Sequence, residues 1–197
     1  MPRGTGSCRS SQTLGGMNNV TFRVVEQFPE PAFSALTEEA FSDYETSELL
    51  TDVASQEAAS KPGTANAADE GALRIGAFRA DSLVGWTFAR SEGTSHLYMI
   101  NSGVTPAERH QGIYSELVRL VIEHARLRGY VAILSRHAAN NNAVIVAKLK
   151  LGFFISGFEY SEVYGPLVRL TFLVGELRRS LYKTRSAPIR RANRRDA

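Results

Sequence analysis

The N-terminal half of the chain combines a strand pattern with helical spacing. Residues 19–28 (NVTFRVVEQF) alternate between apolar and polar side chains and include β-branched residues, which predicts a first strand. Residues 31–60 space their apolar side chains three and four apart, which predicts two helices that break near residues 44–46. A loop rich in small and polar residues over 61–71 separates these helices from the strands that follow.

The middle of the chain predicts a hairpin and then a single strand. Residues 72–80 and 82–92 are apolar and β-branched on either side of the turn Ala80-Asp81, so they form two antiparallel strands. Residues 95–104 (SHLYMINSGV) predict a fourth strand that ends just before Thr105-Pro106.

A long amphipathic helix follows this fourth strand. Its polar side chains recur at intervals of three and four and form one solvated stripe: Glu116, Arg119, Glu123 and Arg126. Gly129 is placed to end the helix, and residues 130–135 (YVAILS) form a nearly continuous apolar strand. The fourth and fifth strands are therefore parallel, in a βαβ unit.

The C-terminal half adds one helix and two strands. Residues 140–152 (NNNAVIVAKLKLG) predict a short helix with an Asn cap and Gly152 as its stop, and residues 153–160 and 167–174 predict the last two strands. The fold class is therefore α/β, in its mixed α+β form, with a mostly antiparallel central sheet and about four helices. Because Pro106 has no N–H for a ladder, the sheet is expected to splay between its fourth and fifth strands.

The charge is concentrated at the two ends of the chain. Residues 178–197 carry a net charge of +7 and residues 1–16 a net charge of +2, so residues 17–177 carry −6. We expect a disordered arm over 1–16, one folded domain over 17–177 and a basic disordered tail over 178–197. Such a tail allows weak contacts with nucleic acid, but it has few aromatic side chains to stack on bases.

Targeting and cysteine content favour a cytoplasmic protein. The N-terminal segment lacks the apolar stretch of a secretory signal, and no apolar run is long enough to span a bilayer. Cys8 is the only cysteine, so no disulfide forms within the chain. Whether Met1 or Met17 is the natural start stays open.

The turn before the long helix has the character of an anion site. Arg109, His110, Gln111 and Gly112 stand where a capping side chain is expected, so the first N–H groups of the helix have no partner. The helix dipole adds positive charge there, and Gly112 lets a phosphate approach closely. The alternative is that Gly112 only eases a tight turn.

The sequence around this turn resembles the acyl-CoA-binding signature of the GNAT family of N-acetyltransferases. The signature Arg-x-x-Gly-x-(Gly/Ala) follows a strand that ends in Val-x-Pro, and here the segment is VTPAERHQGIY. The later segment NNNAVIVAKLKLGF is similar to the Asn-initiated helix of that family, and the likeness extends over about residues 20–175. The resemblance implies an acyl-CoA N-acyltransferase fold with acetyl-CoA as co-substrate.

The resemblance also implies a set of cofactor contacts. The pyrophosphate would lie on the backbone of the turn, and the pantetheine arm would pair with the end of the fourth strand. Asn141 would contact the same arm, although Asn140 or Asn142 are alternatives. A backbone N–H near residues 100–102 would polarise the thioester carbonyl. The cofactor-binding residues so implied are Ser102, Val104, Arg109, His110, Gln111, Gly112, Ile113, Tyr114, Ser115 and Asn141.

Two positions depart from the family pattern. Tyr114 stands where the family usually has Gly or Ala, so its ring must turn aside or pack on the cofactor. Lys148 stands where the family often has a Tyr that protonates the leaving thiolate, so the general acid is not inherited. Glu108 lies beside the expected pyrophosphate and would repel it, so we expect this side chain to face solvent.

Catalytic candidates come from the end of the fifth strand and from the tyrosines. His137 follows that strand and has a pKa range suited to a general base, although a bond to a loop carbonyl would explain it equally. Tyr164 is the favoured candidate for the missing acid, with Tyr98 and Tyr160 as alternatives. No His, Cys or Asp cluster has metal-ligand spacing, so no metal site is predicted.

The sequence thus predicts an N-acetyltransferase that moves acetyl from acetyl-CoA to a primary amine by direct attack in a ternary complex. The acceptor would be a small-molecule or peptide amine, cationic because the body is acidic. A homodimer is compatible with this prediction, and a membrane partner is not expected. The alternatives are a non-catalytic acyl-CoA-binding sensor of the same fold and a nucleic-acid-associated module that acts through the tail.

Overall fold

A computed structural model describes residues 12–41, 71–162 and 164–186. Its strands are β1 (Gln12–Met17), β2 (Val20–Val24), β3 (Leu73–Arg79), β4 (Ser82–Glu92), β5 (His96–Val104), β6 (Ala132–Ala138), β7 (Phe154–Ser161) and β8 (Gly165–Leu173). Its helices are α1 (Ala32–Phe41), α2 (Ile113–Leu127), α3 (Asn142–Lys150) and α4 (Glu176–Ser186), with a 3₁₀ turn at Pro106–Glu108. Every strand predicted from the sequence is present, and α2 and α3 confirm the two helices predicted after β5 and β6.

The strands form one mixed sheet in the order β1-β2-β3-β4-β5-β6-β8-β7. Neighbouring strands are antiparallel except β5 and β6, which are parallel and enclose α2 in the predicted βαβ unit. Helices α2 and α3 lie on one face of the sheet. Helix α1 packs over β4 and β5, where the ring of Phe33 meets the edge of the buried Trp86.

The sheet is splayed between β5 and β6, as the sequence predicts. Pairing between these strands starts at His96 with Ala132 and ends at Met99 with Ser135. Beyond that point β5 continues to Val104 paired with β4 alone, while β6 continues to Ala138 paired with β8. We call the space between residues 100–104 of β5 and residues 136–138 of β6 the slot.

A β-bulge lies in β5 at the start of the slot. In the ladder with β4, Phe88 pairs with Asn101 and Ala89 pairs with Met99, so Ile100 has no partner opposite. A bulge of this kind bends the strand and redirects its backbone groups. It therefore strengthens the divergence of β5 from β6.

The core lies between the sheet and the apolar face of α2. The buried residues of α2 are Ile113, Leu117, Val118, Leu120, Val121, Ile122 and Ala125. The polar stripe predicted on the opposite side is confirmed, since Arg119, Glu123 and Arg126 are exposed. Gly129 follows the helix at φ +75°, in the left-handed region that its C-terminal stop requires.

Two segments that the sequence predicts to be disordered are partly ordered. Within the arm 1–16, residues from Gln12 onward form β1, although almost all of its side chains are exposed. Pairing with β2 explains this, because an edge strand joins a sheet through backbone hydrogen bonds that do not need an apolar pattern. The prediction of disorder is therefore wrong for these residues.

Within the basic tail 178–197, residues up to Ser186 belong to α4. Arg179 donates to the carbonyls of Leu173 and Val174 at 2.8 and 2.6 Å, and Tyr182 stacks on Phe154 at 3.7 Å between ring centroids. These contacts fix the helix to the end of β8. The charge pattern of this segment did not predict these contacts, because Arg179 is one of its basic residues and yet anchors the helix.

Some predictions fall outside the described residues. Helix α1 confirms the first helix predicted within 31–60, but the second and the loop 61–71 lie almost wholly outside, as do residues 1–11 and 187–197. In the described part of the chain, no helix is long and apolar enough to cross a membrane.

Candidate active site

The turn between β5 and α2 leaves the start of the helix open. Gly112 is the N-cap at φ +84°, and no side chain caps the helix. His110 also has a positive φ, +63°, so the turn holds two left-handed residues. The first N–H groups of α2 therefore point out of the turn without an intrahelical partner, at the positive end of the helix dipole.

Glycine suits the left-handed backbone of this turn at position 112. A Cβ atom there would lie 3.3 Å from Cε of Met17, which reaches over from the end of β1, and the positive φ would strain it further. The surface above the first turn of α2 is thus a cradle that a side chain would fill. It fits an anion such as a phosphate, which backbone N–H groups bind in this position.

Glu108 does not face solvent freely, contrary to the expectation from the sequence. Arg79 at the end of β3 holds it with two hydrogen bonds of 2.7 Å, and Gln111 donates to it at 3.0 Å. Arg79 also donates to the carbonyl of Asn18 at 3.0 Å. The hydrogen bond from Arg79 is the main reason that the pKa of Glu108 is lowered. The repulsion expected between Glu108 and a phosphate is therefore largely neutralised.

Arg79 is a site residue that the sequence reasoning missed. It lies 29 residues before Glu108 in the chain, and its side chain reaches the turn because β3, β4 and β5 are adjacent. The signal in the sequence was its position as the last residue of a strand beside the hairpin turn. That position is informative only once the strand order is known.

The ring of Tyr114 turns into the protein and does not cover the cradle. It packs against the hydrophobic core, and its hydroxyl is buried without a hydrogen-bond partner among the described residues. Burial raises the pKa of this hydroxyl. The side chain thus leaves the backbone N–H of Tyr114 open, and the bulky residue is compatible with an anion at the turn.

The slot side of β5 presents backbone groups that β4 does not use. The N–H of Thr105 donates to the carbonyl of Val84 at 3.0 Å, so by alternation the groups of Val104 and Ser102 point away from β4. Arg109 Nε donates to the carbonyl of Val104 at 3.2 Å. This edge can pair with an extended ligand. Arg109 connects the edge to the turn of residues 109–112 between β5 and α2, which we call the anion turn.

The side chain of Ser102 is bound within the sheet. Its hydroxyl lies 2.8 Å from Oγ1 of Thr87 and donates to the carbonyl of Asn101 at 2.7 Å. The side chain of Asn101 in turn accepts from Nε1 of Trp86 at 3.0 Å. The part of Ser102 that remains for a ligand is its backbone.

His137 lies on β6, at the slot, and is half-buried. Its Nε2 is 3.2 Å from Oγ of Ser135. Burial, and secondarily the charge of Lys148, lowers the pKa of His137 to about 3. In these surroundings the imidazole is neutral at physiological pH and a weak acceptor of protons.

Tyr164 and Asn141 lie at the same edge of the sheet as the turn. Tyr164 is in the turn between β7 and β8, with 66% of its surface exposed, and the N–H of Ala139 donates to Pro166 close by. Oδ1 of Asn141 accepts from the N–H of Val144 at 3.3 Å, so this residue caps α3 as the sequence predicts. Their roles in catalysis and in cofactor binding stay predictions.

Lys148 is buried on the sheet side of α3. Only 1% of its surface is exposed, and its Nζ lies 3.4 Å from Sδ of Met99 and 5.0 Å from the ring centre of Phe153. Burial lowers the pKa of Lys148 to about 7. The sequence marked this residue only as a departure from a family pattern, because its burial depends on how α3 packs on the sheet.

Solved structures of known acetyltransferases superpose on this fold. The ribosomal-protein-S18-alanine N-acetyltransferase of Escherichia coli superposes with a TM-score of 0.60 at 19% identity, over 80% of this chain and 97% of that one. A probable acetyltransferase of Staphylococcus epidermidis gives 0.62 at 17% identity, over 79% and 99%. A GNAT family acetyltransferase of Elizabethkingia anophelis, with acetyl-CoA bound, gives 0.55 at 16% identity, over 80% and 99%.

These similarities establish the fold. No curated protein sequence matches the chain significantly. The family model described as the acetyltransferase (GNAT) family matches residues 31–153, which is more than half of the chain and includes the anion turn, the slot and α3. On that match the protein belongs to the GNAT family of acetyltransferases.

Proposed function

We propose that this protein is an N-acetyltransferase that moves the acetyl group of acetyl-CoA to a primary amine, by direct attack in a ternary complex. The observation that carries the proposal is the continuity of two features. The uncapped start of α2 adjoins the free edge of β5, and that edge leads to the bulge at Ile100. An anion site joined to an unpaired strand edge suits a ligand with a phosphate group and an extended amide arm.

The residues of the turn would hold the pyrophosphate of the cofactor. Backbone N–H groups from Gln111 to Ser115 would bind it, with Arg109 and His110 adding charge beside Gly112. The pantetheine arm would pair with the backbone of Ser102 and Val104. Arg109 would then exchange its bond to the Val104 carbonyl for one to a phosphate oxygen.

The bulge would help to stabilise the negative charge that develops during acetyl transfer. When an amine attacks a thioester, negative charge develops on the carbonyl oxygen. The N–H of a bulged residue is released from regular pairing, so the backbone at Ile100 would donate to that oxygen. Acetyl-CoA supplies the activated acetyl group, and alignment in the slot supplies much of the rate.

The amine must lose a proton before it can attack. His137 would take that proton as a general base, and burial makes it a weaker base than a free imidazole because it lowers the pKa of the ring. Tyr164, in the turn between β7 and β8 at the same edge of the sheet, would serve as an acid from the exposed side. The acceptor would be a cationic small molecule or a peptide amine, because residues 17–177 carry a net charge of −6.

Binding of acetyl-CoA by calorimetry is the first test. The wild-type protein should bind, and Gly112→Asp should lower the affinity at least about 100-fold, because the carboxylate would stand in the anion cradle. Gly129→Asp is the matched control, since Gly129 also has a positive φ but a Cβ there meets nothing within 4 Å. If wild type does not bind, the proposal is wrong.

Release of free thiol from acetyl-CoA with a panel of amines is the second test. Release with at least one amine, abolished by Gly112→Asp and retained in Gly129→Asp, supports the transferase. Binding without release from any amine would instead support an acyl-CoA-binding protein without catalysis.

A further inference from the structure

Lys148 is the most deeply buried charged side chain among the described residues. Its hydrogen bond within the described residues goes to a thioether sulfur, and its other recorded contact is an aromatic ring. A thioether is a weak acceptor for an ammonium group, and burying an ammonium without a carboxylate is costly. A buried lysine with such poor partners calls for a reason beyond packing.

The position of Lys148 relative to the slot supplies that reason. Met99, which its Nζ contacts, is the last residue of β5 that pairs with β6, so Lys148 lies at the closed end of the slot. From Val104 to Met99 the strand rises about 17 Å. An extended arm whose phosphate lies at Gly112 and which follows this edge would place its terminal sulfur near Met99.

The surroundings of Lys148 favour proton release. Its pKa is lowered to about 7 by burial alone, so both protonation states are populated at neutral pH. The titratable group that feels its charge is His137 on β6, which is neutral at that pH. The contacts recorded for Nζ among the described residues, Met99 and Phe153, include no carboxylate. Neither of them is an anion that would hold the proton on Nζ.

We propose that Lys148 is a catalytic residue that protonates the sulfur of acetyl-CoA as it leaves. This inference rests on the proposed function, and it gives the role of the acid for the leaving sulfur to Lys148 in place of Tyr164. The amine nitrogen bonds to the acetyl carbon, the carbon–sulfur bond breaks, and its electron pair stays on sulfur. A proton moves from Nζ to that sulfur, and the neutral Lys148 then regains a proton from solvent when the product thiol leaves.

Affinity labelling with bromoacetyl-CoA tests the location without any acceptor. The reagent places an alkylating carbon next to the sulfur, and a neutral Nζ nearby displaces bromide and forms a carbon–nitrogen bond. In a Cys8→Ser background, which has no thiol, peptide mass spectrometry should find the label on Lys148. Lys150 on the exposed side of the same helix should stay unlabelled. Labelling elsewhere only, or none in a protein that binds acetyl-CoA, overturns the proposal.

Kinetics with an amine found active in the thiol-release panel test the chemistry. Lys148→Met keeps the length of the side chain, and Lys150→Met is its exposed control. Lys148→Met should lower kcat about 100-fold or more, with KM for acetyl-CoA changed little. The alkaline limb on which wild-type kcat falls should disappear in the variant. Lys148→Gln, which is polar but not an acid, should behave in the same way and replaces Lys148→Met if that variant does not fold.

The results separate this proposal from the proposed function. Unchanged kcat in folded Lys148→Met, or a loss confined to KM, overturns the role of Lys148 and leaves the transferase intact. Failure of wild type to bind acetyl-CoA in calorimetry overturns both. A melting temperature of Lys148→Met equal to or above that of wild type shows that any loss of kcat is not a loss of fold.

Discussion

Helices α2 and α3 begin at the same edge of the sheet, yet their first turns are closed in opposite ways. Helix α3 follows β6 and is capped by its own side chain, since Oδ1 of Asn141 accepts from Val144. Helix α2 follows β5 and begins at Gly112, which has no side chain to cap it. The start of α3 has a side-chain acceptor of its own for a backbone N–H group. The start of α2 has such an acceptor only when another group supplies it.

The two helix starts serve different ends: that of α3 favours stability, and that of α2 favours access to its backbone N–H groups. Asn141 stabilises α3 by satisfying a backbone donor, at no cost to any other part of the protein. At α2 the protein instead gives up a cap, accepts a left-handed His110 and buries the Tyr114 hydroxyl, which has no hydrogen-bond partner in the described part of the chain. These features lower stability, and all of them leave the N–H groups of the turn accessible. The first turn of α2 is thus open to a ligand.

Gly112→Asn would give α2 an Asn at its N-cap, as α3 has. Among the variants compared in this Discussion it should have the largest effect, and that effect should be on the affinity for acetyl-CoA. Asn tolerates a positive φ, so the fold should persist, but its side chain would occupy the cradle and compete for the N–H groups. We expect the affinity for acetyl-CoA to fall about 10- to 100-fold, which is about 1.4 to 2.7 kcal/mol. Calorimetry measures this, with Gly129→Asn as control. Equal losses in both variants would show that backbone strain, and not the cradle, is responsible.

Asn141→Ala would remove the N-cap of α3, a cap of the kind that α2 lacks. Its main effect should be on stability. Loss of an N-cap costs about 1 kcal/mol, so the melting temperature should fall about 2–4 °C. Asn140→Ala, one residue earlier and outside the cap, should change it less. Thermal unfolding followed by circular dichroism measures both.

The same variant also tests the second role predicted for Asn141. If it contacts the pantetheine arm, affinity for acetyl-CoA should fall more than destabilisation alone explains, in protein that is still folded. An unchanged affinity would show that the residue is a cap only.

Tyr114→Phe should raise stability slightly. The variant removes a buried hydroxyl that no described residue hydrogen-bonds and keeps the ring in the core, so a gain of about 1 kcal/mol in stability is expected. Affinity for acetyl-CoA should stay the same, since only the backbone of Tyr114 faces the turn. A loss of affinity would mean that the hydroxyl itself meets the cofactor.

The sequence was sufficient for those features that arise from local pattern. The alternation of apolar residues predicts the strands, and the spacing in α2 predicts its buried face. Pro106 together with the parallel βαβ unit predicts the splay. Gly112 predicts the uncapped start of α2, because the absence of a capping residue is visible in the residue order itself.

The features that the sequence did not predict arise from contacts between distant segments. Arg79 neutralises Glu108 only because β3 lies two strands from β5, and Arg179 anchors α4 only because it reaches the end of β8. The low pKa of His137 follows from burial, which no local pattern reports. A titratable residue at a strand end therefore suggests a site without revealing its protonation state.

Glu108→Gln should have the smallest effect, and its dependence on pH shows the cause. The pKa of Glu108 is held below its ordinary value near 4.5 mainly by the hydrogen bond from Arg79. Its contribution to stability is therefore present above that value and is lost as the pH falls through the lowered pKa. Wild type should melt slightly above the variant at pH 7, and the two melting temperatures should converge as the pH falls below the lowered pKa of Glu108. Because the pair is partly exposed, salt should also reduce the difference. A difference between the two melting temperatures that persists at low pH would mean that Glu108 stabilises the turn through its shape and not its charge.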